Sequence, residues 1–334
     1  MNYIGSKYRL SNFIKTTVYD IVGTDLSNKV FCDIFAGTGI VGRIFKNEVK
    51  QVISNDYEFY SYVLNRNYIG NHKPIKNADK YLASLNNLKP LKGFIYQHYC
   101  KGGHGDRLYF SDTNGQKIDA IRAEINRLKS TKKIDDNTYY FLLASLLESA
   151  DKVANTASVY GAYLKQLKKT ALKELILIPA RFDFTNQKNT VYNTNSNILI
   201  KDIKGDILYL DPPYNARQYG SNYHLLNTIA KYDVFIPKGK TGLREYNKSK
   251  YCSKPNVKNE FENLIKNADF KYIFLSYNNE GLMSVEEVKN IMEKYGDYSL
   301  ASTEYSRFKA DKDENRNHKA NKTEEYLHIL VKNL

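Results

Sequence analysis

The four residues Asp211-Pro212-Pro213-Tyr214 follow directly on the apolar run Ile207–Leu210. An apolar run bounded by turn residues, here Gly205-Asp206 on its N-terminal side, predicts a buried strand of a parallel sheet. Neither proline can donate to a strand ladder, so we expect the strand to stop at Asp211. The sequence thus places a carboxylate, a rigid backbone and an aromatic ring at the C-terminal edge of a sheet, where ligands bind in open α/β folds.

This combination suits group transfer to the exocyclic amine of a nucleic-acid base. Such an amine is a poor nucleophile because its lone pair is delocalised into the ring. The Asp211 carboxylate and a backbone carbonyl fixed by the prolines would accept its two N–H bonds and favour a more tetrahedral nitrogen, and Tyr214 offers a face on which an extruded base can stack. An ordinary strand-ending turn explains the same four residues, so the interpretation needs support from the rest of the chain.

A second buried-strand pattern, residues 29–34, breaks into Phe35-Ala36-Gly37-Thr38-Gly39 and is followed at once by a helical pattern over 40–45. Strand, glycine turn and helix form an arrangement that cradles nucleotides, because glycine lets the backbone approach the ligand closely. The third glycine of the dinucleotide fingerprint is missing at its usual place, since Gly42 falls one position early. The pattern therefore favours a nucleoside carrying an amino acid over a pyrophosphate ligand.

Two further residues are candidates for contact with the same ligand. Asp56 follows the strand predicted at 51–54, at a distance from the glycine turn that suits an acidic side chain binding ribose hydroxyls. A helix N-cap is the alternative for this residue. Lys7, in the opening loop, is either a solvated terminal lysine or one that binds a ligand carboxylate or a DNA phosphate.

The alternation of strand and helix stops between residues 71 and 188, where we predict a mainly helical insert with helices over 118–128 and 138–149. Tyr160 lies among lysines in this region, a composition that suits phosphate contact with nearby stacking. A solvated helix face explains the lysines equally well. We interpret the segment as an inserted recognition domain.

Sheet character resumes after the insert, with short strands predicted at 191–193 and 198–200 around Asn195. Helices at 223–229 and 285–295 and a strand at 272–277 follow, and Ser284 with Glu287 predicts a capping box at the start of the second helix. Two late strands, 298–302 and 326–331, could pair as a hairpin. The Lys-rich stretch 237–258 predicts a long basic loop, which suits contact with a DNA backbone.

Composition points to a polyanion as the partner. Lysine and arginine number 50 against 36 acidic residues, a formal net charge of +14. A generic basic protein remains the alternative.

The three cysteines are isolated, so neither a disulfide framework nor a zinc site is indicated, and we assign no metal ligand. We find no signal peptide and no apolar run long enough to span a bilayer, and we therefore expect a cytoplasmic protein of a prokaryote, acting on the nucleoid.

Together these motifs resemble the amino-group DNA methyltransferases that use S-adenosylmethionine, specifically the N6-adenine enzymes of the D12 class, as found in type II restriction–modification systems. That family has an N-terminal cofactor motif, a glycine motif, a target-recognition region and then Asp-Pro-Pro-Tyr. The same order is present here in Tyr3–Lys7, Asp33–Gly39, the insert and Asp211–Tyr214. The resemblance covers nearly the whole chain. It implies an α/β, Rossmann-like core in 1–70 and 189–334, the latter including a DNA-facing basic loop, interrupted by a mainly helical target-recognition domain at 71–188.

The resemblance also implies residue roles. Asp211 and the Pro212 carbonyl would hold the adenine amine, with Pro213 fixing the backbone and Tyr214 stacked on the flipped base. Asn195 stands where relatives often carry an acidic residue that contacts the cofactor's adenine. The remaining cofactor-pocket residues are Tyr3, Lys7, Asp33, Phe35, Gly37, Gly39, Asp56 and Asp211 itself. The residues assigned to DNA contact are Arg217, Tyr160, Lys165, Lys168, Lys169, Lys248 and Lys250.

The hypothesis from sequence is therefore a site-specific DNA adenine-N6 methyltransferase that uses S-adenosylmethionine, flips its target base and protects host DNA, functionally paired with a restriction endonuclease that it does not bind. The likeness to the type II subgroup points to short targets ending in ATG, such as CATG. Three alternatives stay open: N4-cytosine methylation, methylation of structured RNA, and a non-catalytic DNA-binding module that retains a methyltransferase core.

Overall fold

The computed structural model describes residues 7–306 and 322–333. Tyr3 lies outside these residues. The described residues group into two compact units, a sheet unit of residues 7–65, 185–218, 247–306 and 322–333 and a helical unit of residues 66–184 and 219–246. No helix in the described part of the chain combines the length and apolar character needed to cross a membrane.

The strands and helices of the described residues have the following bounds. The strands are β1 (Val30–Asp33), β2 (Gln51–Asn55), β3 (Thr190–Tyr192), β4 (Lys204–Leu210), β5 (Asp269–Asn278), β6 (Gly296–Ser306) and β7 (Lys322–Lys332). The α-helices are α1 (Ser11–Val22), α2 (Ile40–Phe45), α3 (Phe59–Asn65), α4 (Ala78–Asn86), α5 (Phe94–Tyr99), α6 (Asp112–Ser130), α7 (Asp136–Val153), α8 (Ser196–Leu199), α9 (Tyr219–Asn222), α10 (His224–Lys231), α11 (Val257–Asn267) and α12 (Val285–Met292).

The sheet unit is built on a seven-stranded sheet, among the described residues, with the order β3-β2-β1-β4-β5-β7-β6. The first five strands run parallel, and β7 is antiparallel to both β5 and β6. The order reverses between β1 and β4, and ligands of open α/β sheets bind at such a switch point, beyond the carboxyl ends of the strands. The α/β, Rossmann-like class predicted from the sequence is confirmed.

The core of the sheet unit explains why these segments form strands. Buried apolar side chains at alternate positions of β4 and β5, and in and just after β1, belong to one core cluster with the apolar stripes of α11 and α12. This arrangement leaves only the strand ends for polar chemistry. The packed residues include Cys32, Ile34, Leu208, Leu210, Ile273, Leu275, Phe261, Leu264, Val288 and Met292.

Most strands and helices predicted in this unit are present, including the antiparallel pairing of the two late strands and the capping box of Ser284 with Glu287. The strand predicted at 198–200 is wrong. Ile198 and Leu199 belong to α8 and Ile200 follows its last residue; the helix begins where the Asn195 side chain accepts the backbone N–H of Asn197 at 2.9 Å. A three-residue apolar run fits either structure, and the cap decides for a helix.

The helical unit includes residues 219–246, which the sequence analysis had placed with the core. Arg122 of α6 shows why. Its guanidinium donates to the carbonyl oxygens of Ile229 and Ala230, each at 2.8 Å. These carbonyls lie in the last turn of α10 and therefore have no N–H donor within the helix. The arginine supplies the donors and so links α10 to α6.

Candidate active site

A buried lysine lies between two carboxylates near the end of β4. Lys7 Nζ is 3.1 Å from Asp211 Oδ1 and 3.9 Å from Glu325 Oε2. Lys7 is only 5% exposed. Glu325 stands on β7 opposite Asn278 of β5, which brings its carboxylate to the same cluster. The solvated-terminus alternative for Lys7 is therefore wrong, and its ammonium is a buried counter-ion of Asp211.

The electrostatics of this cluster keep both partners of the close pair charged at neutral pH. Burial raises the pKa of Asp211 to about 6; the Lys7 charge opposes this rise and the Glu325 charge adds to it. Burial alone would lower the pKa of Lys7, but the two carboxylates outweigh that effect and hold it above its ordinary value. Asp211 is consequently an ionised hydrogen-bond acceptor near pH 7 that becomes protonated within a mildly acidic range.

The backbone after Asp211 is held in place by the neighbouring loops of the sheet unit. β4 ends at Leu210, one residue before the predicted stop, and Pro212 is buried. The Tyr214 carbonyl accepts the N–H of Leu282 at 2.9 Å. Further on, the Gln218 side chain accepts the Ser249 N–H at 2.7 Å and donates to the Ser249 carbonyl at 3.1 Å. The tetrad is thus a fixed loop, as positioning of a small reacting group requires.

The turn between β1 and α2 needs its glycines for conformational reasons. Gly37 and Gly39 have φ values of 52° and 77°, in the left-handed region. A Cβ at Gly39 would lie 2.7 Å from Asn65 Oδ1. Asn65 Nδ2 donates to the Gly37 carbonyl at 3.1 Å, and the Ser61 hydroxyl donates to the same oxygen. Two side chains of α3 therefore hold the conformation of this turn.

Asp56 ties this turn to the end of β2. One carboxylate oxygen accepts the Gly37 N–H at 2.8 Å, and the other accepts the Glu58 N–H at 2.8 Å, just before α3 begins. Burial raises its pKa to about 6. The cap-like contact considered from sequence is present, and binding of ribose hydroxyls by Asp56 stays a prediction.

Asp33, at the end of β1, is a buried carboxyl whose Oδ1 has no hydrogen-bond partner among the described residues. Burial, and then the charge of Asp211, raise its pKa well above the ordinary value, while backbone N–H groups of Gly42 and Phe35 act against this rise. Buried polar oxygens are normally paired, so an orphaned one at a ligand edge indicates a missing donor. With the glycine turn and Asp56, the orphaned oxygen fits a ligand that combines an ammonium group with a ribose.

The other two predicted cofactor residues border this turn and α8. The Phe35 ring packs edge-on against the Tyr251 ring, with 5.1 Å between centroids. The Tyr251 hydroxyl donates to Asn197 Oδ1 at 2.8 Å. Asn195 Oδ1 is engaged in capping α8. For Asn195 the amide nitrogen is therefore the group to consider for a ligand contact.

The residues assigned to DNA contact divide into exposed and buried ones. Arg217, Lys165, Lys169, Lys248 and Lys250 are exposed, although Lys250 forms an ion pair with Glu260 at 2.9 Å. Lys168 is half-buried and donates to the Thr156 carbonyl at 2.6 Å. Tyr160 corrects the prediction: it is fully buried, and its hydroxyl donates to Asp151 at 2.9 Å. Its ring is part of the core of the helical unit and does not reach solvent.

Sequence reasoning missed Glu325, Asn65 and Ser61. All three act through contacts that no local motif records, since Glu325 lies far along the chain from Lys7 and the α3 residues reach back to the turn from the next helix. The one available signal was the position of Glu325 at the start of the predicted strand 326–331. Burying a carboxylate beside a strand costs folding free energy unless a cation pairs with it.

Comparison with known proteins identifies the family to which this chain belongs. Residues 3–291 match the D12 class N6 adenine-specific DNA methyltransferases. The chain is 66% identical over 332 residues to the type II methyltransferase M.NlaIII of Neisseria lactamica, covering 99% of both proteins. It is 38% identical over 317 residues to M.CviAII of Paramecium bursaria Chlorella virus 1, covering 93% of each. Against M.FokI of Planomicrobium okeanokoites, the identity is 38% over 349 residues, covering this whole chain and 53% of that protein. The chain thus belongs to the D12 class of N6 adenine-specific DNA methyltransferases.

Proposed function

We propose that this adenine-N6 DNA methyltransferase takes its methyl group from S-adenosylmethionine and acts on an adenine extruded from a short duplex target. The observation that carries the proposal is the Asp211 carboxylate, held by Lys7 at 3.1 Å on the sheet edge that also bears the glycine turn. The family is adenine-specific, which argues against cytosine N4 as the acceptor and against a non-catalytic module.

The residues that would hold the cofactor are Asp33, Asp56 and the turn at Gly37–Gly39. The unpartnered Asp33 oxygen suits an ammonium group, and the Asp56 carboxylate suits the ribose hydroxyls. S-adenosylmethionine, when bound, supplies an electrophilic methyl group on a sulfonium. Phe35 would pack against the cofactor from the turn, and the amide nitrogen of Asn195 would contact its adenine.

The acceptor side of the reaction depends on Asp211. Its carboxylate would accept one N–H of the adenine amine while the Pro212 carbonyl accepts the other, so that the nitrogen lone pair is drawn out of the ring and aimed at the methyl group. Transfer is then a single in-line displacement in which positioning and electrostatics supply most of the rate. The nitrogen must shed one proton after transfer, and the Asp211 carboxylate, with a pKa of about 6, is the group placed to receive it.

Tyr214 would stack on the extruded base, and extrusion would cost about a few kcal/mol of lost stacking and pairing. The helical unit is our candidate for target recognition, supported by the exposed lysines Lys165 and Lys169. In the sheet unit, Arg217 and Lys248 would contact the DNA backbone. These contacts predict binding that weakens steeply with salt.

The relatives named above are type II methyltransferases. On this basis we propose that the protein is the modification partner of a restriction endonuclease, acting on the nucleoid in a prokaryotic cytoplasm and paired with the nuclease by function alone.

The experiment that tests the proposal measures transfer of labelled methyl from S-adenosylmethionine to unmethylated genomic DNA, followed by nucleoside analysis and modification-aware sequencing. We expect N6-methyladenine within one short sequence. Asp211→Ala should abolish the label, while Asp202→Ala, which changes an exposed aspartate of the same unit, should leave it unchanged. Label in RNA only, or full activity of the Asp211 variant, would overturn the proposal.

A further inference from the structure

Two neighbouring aliphatic side chains of the helical unit project almost completely into solvent. Val234 is 93% exposed and Ile236 is 84% exposed, the highest values for large hydrophobic residues in the described part of the chain. Single exposed hydrophobic residues are normal on protein surfaces. A pair on one short segment is different, because contiguous exposed apolar surface marks interaction sites.

The residue between them, Phe235, packs against side chains of the helical unit. The Phe235 ring lies 5.0 Å, centroid to centroid, from the Phe94 ring of α5. The Arg244 guanidinium carbon is 4.9 Å from the Phe235 centroid. The Phe235 ring is thus anchored in the helical unit, whereas the side chains directly before and after it in the chain stay exposed.

The segment is also held rigidly along its length. Arg244 donates to both oxygens of Asp233, at 2.9 and 2.8 Å. The backbones of Lys238 and Leu243 exchange two hydrogen bonds of 2.8 Å. Arg107 donates to the carbonyl oxygens of Gly239 and Lys240, at 3.0 and 3.1 Å. A partner would meet an apolar pair that is already ordered, so little conformational entropy would be lost on binding.

Charge around the pair selects the class of partner. Lys231 and Lys240, which precede and follow the pair in the sequence, are both exposed. Residues 231–245 contain two acidic side chains: Asp233 forms an ion pair with Arg244, and Glu245 forms one with Lys238. An apolar protein surface gives lysines no counter-charge, whereas nucleic acid combines a phosphate backbone with apolar base surfaces. Proteins that distort duplexes use this pairing of aliphatic wedges with basic side chains.

We propose that Val234 and Ile236 form an apolar wedge that enters a groove of duplex DNA and packs against bases at an opened step, while Lys231 and Lys240 contact the flanking phosphates. The proposal rests on the proposed function, in which the protein acts on an adenine within a duplex. It adds a contact that the methyl-transfer site does not require for its chemistry.

The test compares DNA binding of the wild type with a Val234→Ser/Ile236→Ser double variant, using one unmethylated duplex of fixed sequence that carries CATG, over a series of salt concentrations. We expect about tenfold weaker binding and an unchanged slope of log affinity against log salt, because no phosphate contact is removed. A Lys231→Gln/Lys240→Gln variant should instead reduce that slope by about 2. Ile176→Ser is the matched control, since Ile176 is a 62% exposed isoleucine of the same unit.

Both wedge residues are exposed, so we expect the serine substitutions to leave the thermal midpoint of unfolding unchanged. If they lower it, the binding series is repeated with Val234→Thr/Ile236→Thr. Wild-type affinity in the double variant, or equal losses in the double variant and in Ile176→Ser, would overturn the wedge. Self-association of the wild type that the double variant loses, with DNA affinity unchanged, would overturn it in favour of a second copy. Methylation by the wild type is scored separately, so its absence would count against the proposed function, while the binding series still tests the wedge.

Discussion

The Lys7 ammonium lies 3.1 Å from the Asp211 carboxylate, and both groups belong to the sheet unit. A lysine from the beginning of the chain thus sets the protonation state of the tetrad's carboxylate. The relationship explains how a buried aspartate, whose pKa burial alone would raise further, can remain an ionised acceptor near neutral pH.

Replacing this lysine should damage catalysis in a way that pH reveals. In Lys7→Gln, loss of the positive charge raises the pKa of Asp211 above about 6, its value in the wild type. Since the ionised form accepts the amine N–H, the acid limb of the rate profile should move to higher pH, and kcat at pH 7 should fall by about 10²-fold. Lys15→Gln is the control, because Lys15 forms a partly exposed ion pair with Glu48 in the same unit. Identical pH profiles for Lys7→Gln and the wild type would contradict the pairing.

Glu325 should act in the opposite direction on the same group. Its charge raises the pKa of Asp211, and its Oε2 is 3.9 Å from Lys7 Nζ. In Glu325→Gln that contribution disappears and Lys7 is left with Asp211 alone, so the pKa of Asp211 falls. The acid limb of kcat should move to lower pH, while KM for DNA stays near the wild-type value. A limb that stays in place, or moves upward, would rule out this role for Glu325.

The features that could be predicted from the sequence are those that local residue patterns determine. A pattern of a few residues was enough to predict the strand before Asp211, the glycine turn and the helix after that turn. Each of these is present in the structure. Ile198–Ile200 shows the limit of this approach, because three apolar residues fit a strand or a helix and the Asn195 cap decided between them.

Long-range contacts were out of reach for a different reason. Tyr160 stands in a segment that contains several lysines, yet a hydrogen bond to Asp151 and packing on Tyr223 bury it in the helical unit. Likewise, a glutamate at the start of a strand gives no sign of which cation the fold will bring to it. Both outcomes depend on which distant segments the fold brings together, and periodicity does not contain that information.

The glycine turn offers a test of cofactor binding that is independent of the ionisable groups. Gly39→Ala places a Cβ at φ 77° and 2.7 Å from Asn65 Oδ1, so the turn must shift. We expect a loss of about 1–3 kcal/mol in unfolding free energy and weaker binding of S-adenosylmethionine in calorimetry. Gly161→Ala is the matched control, because no atom lies within 4 Å of a Cβ built there. Retention of full cofactor affinity in Gly39→Ala would show that the turn does not shape the pocket.

Arg122 should control the stability of the helical unit. It is 1% exposed, and its guanidinium donates to the Ile229 and Ala230 carbonyls. Arg122→Met keeps much of the apolar stem but leaves these buried carbonyls without donors, at a cost of about 1–3 kcal/mol each. Denaturant unfolding followed by circular dichroism should show the loss, and binding of S-adenosylmethionine to the sheet unit should persist. Arg127→Met, on the exposed side of the same helix, removes a surface pair with Glu124 and should leave the unfolding midpoint unchanged. If the two variants unfold at the same denaturant concentration, then Arg122 does not tie α10 to α6.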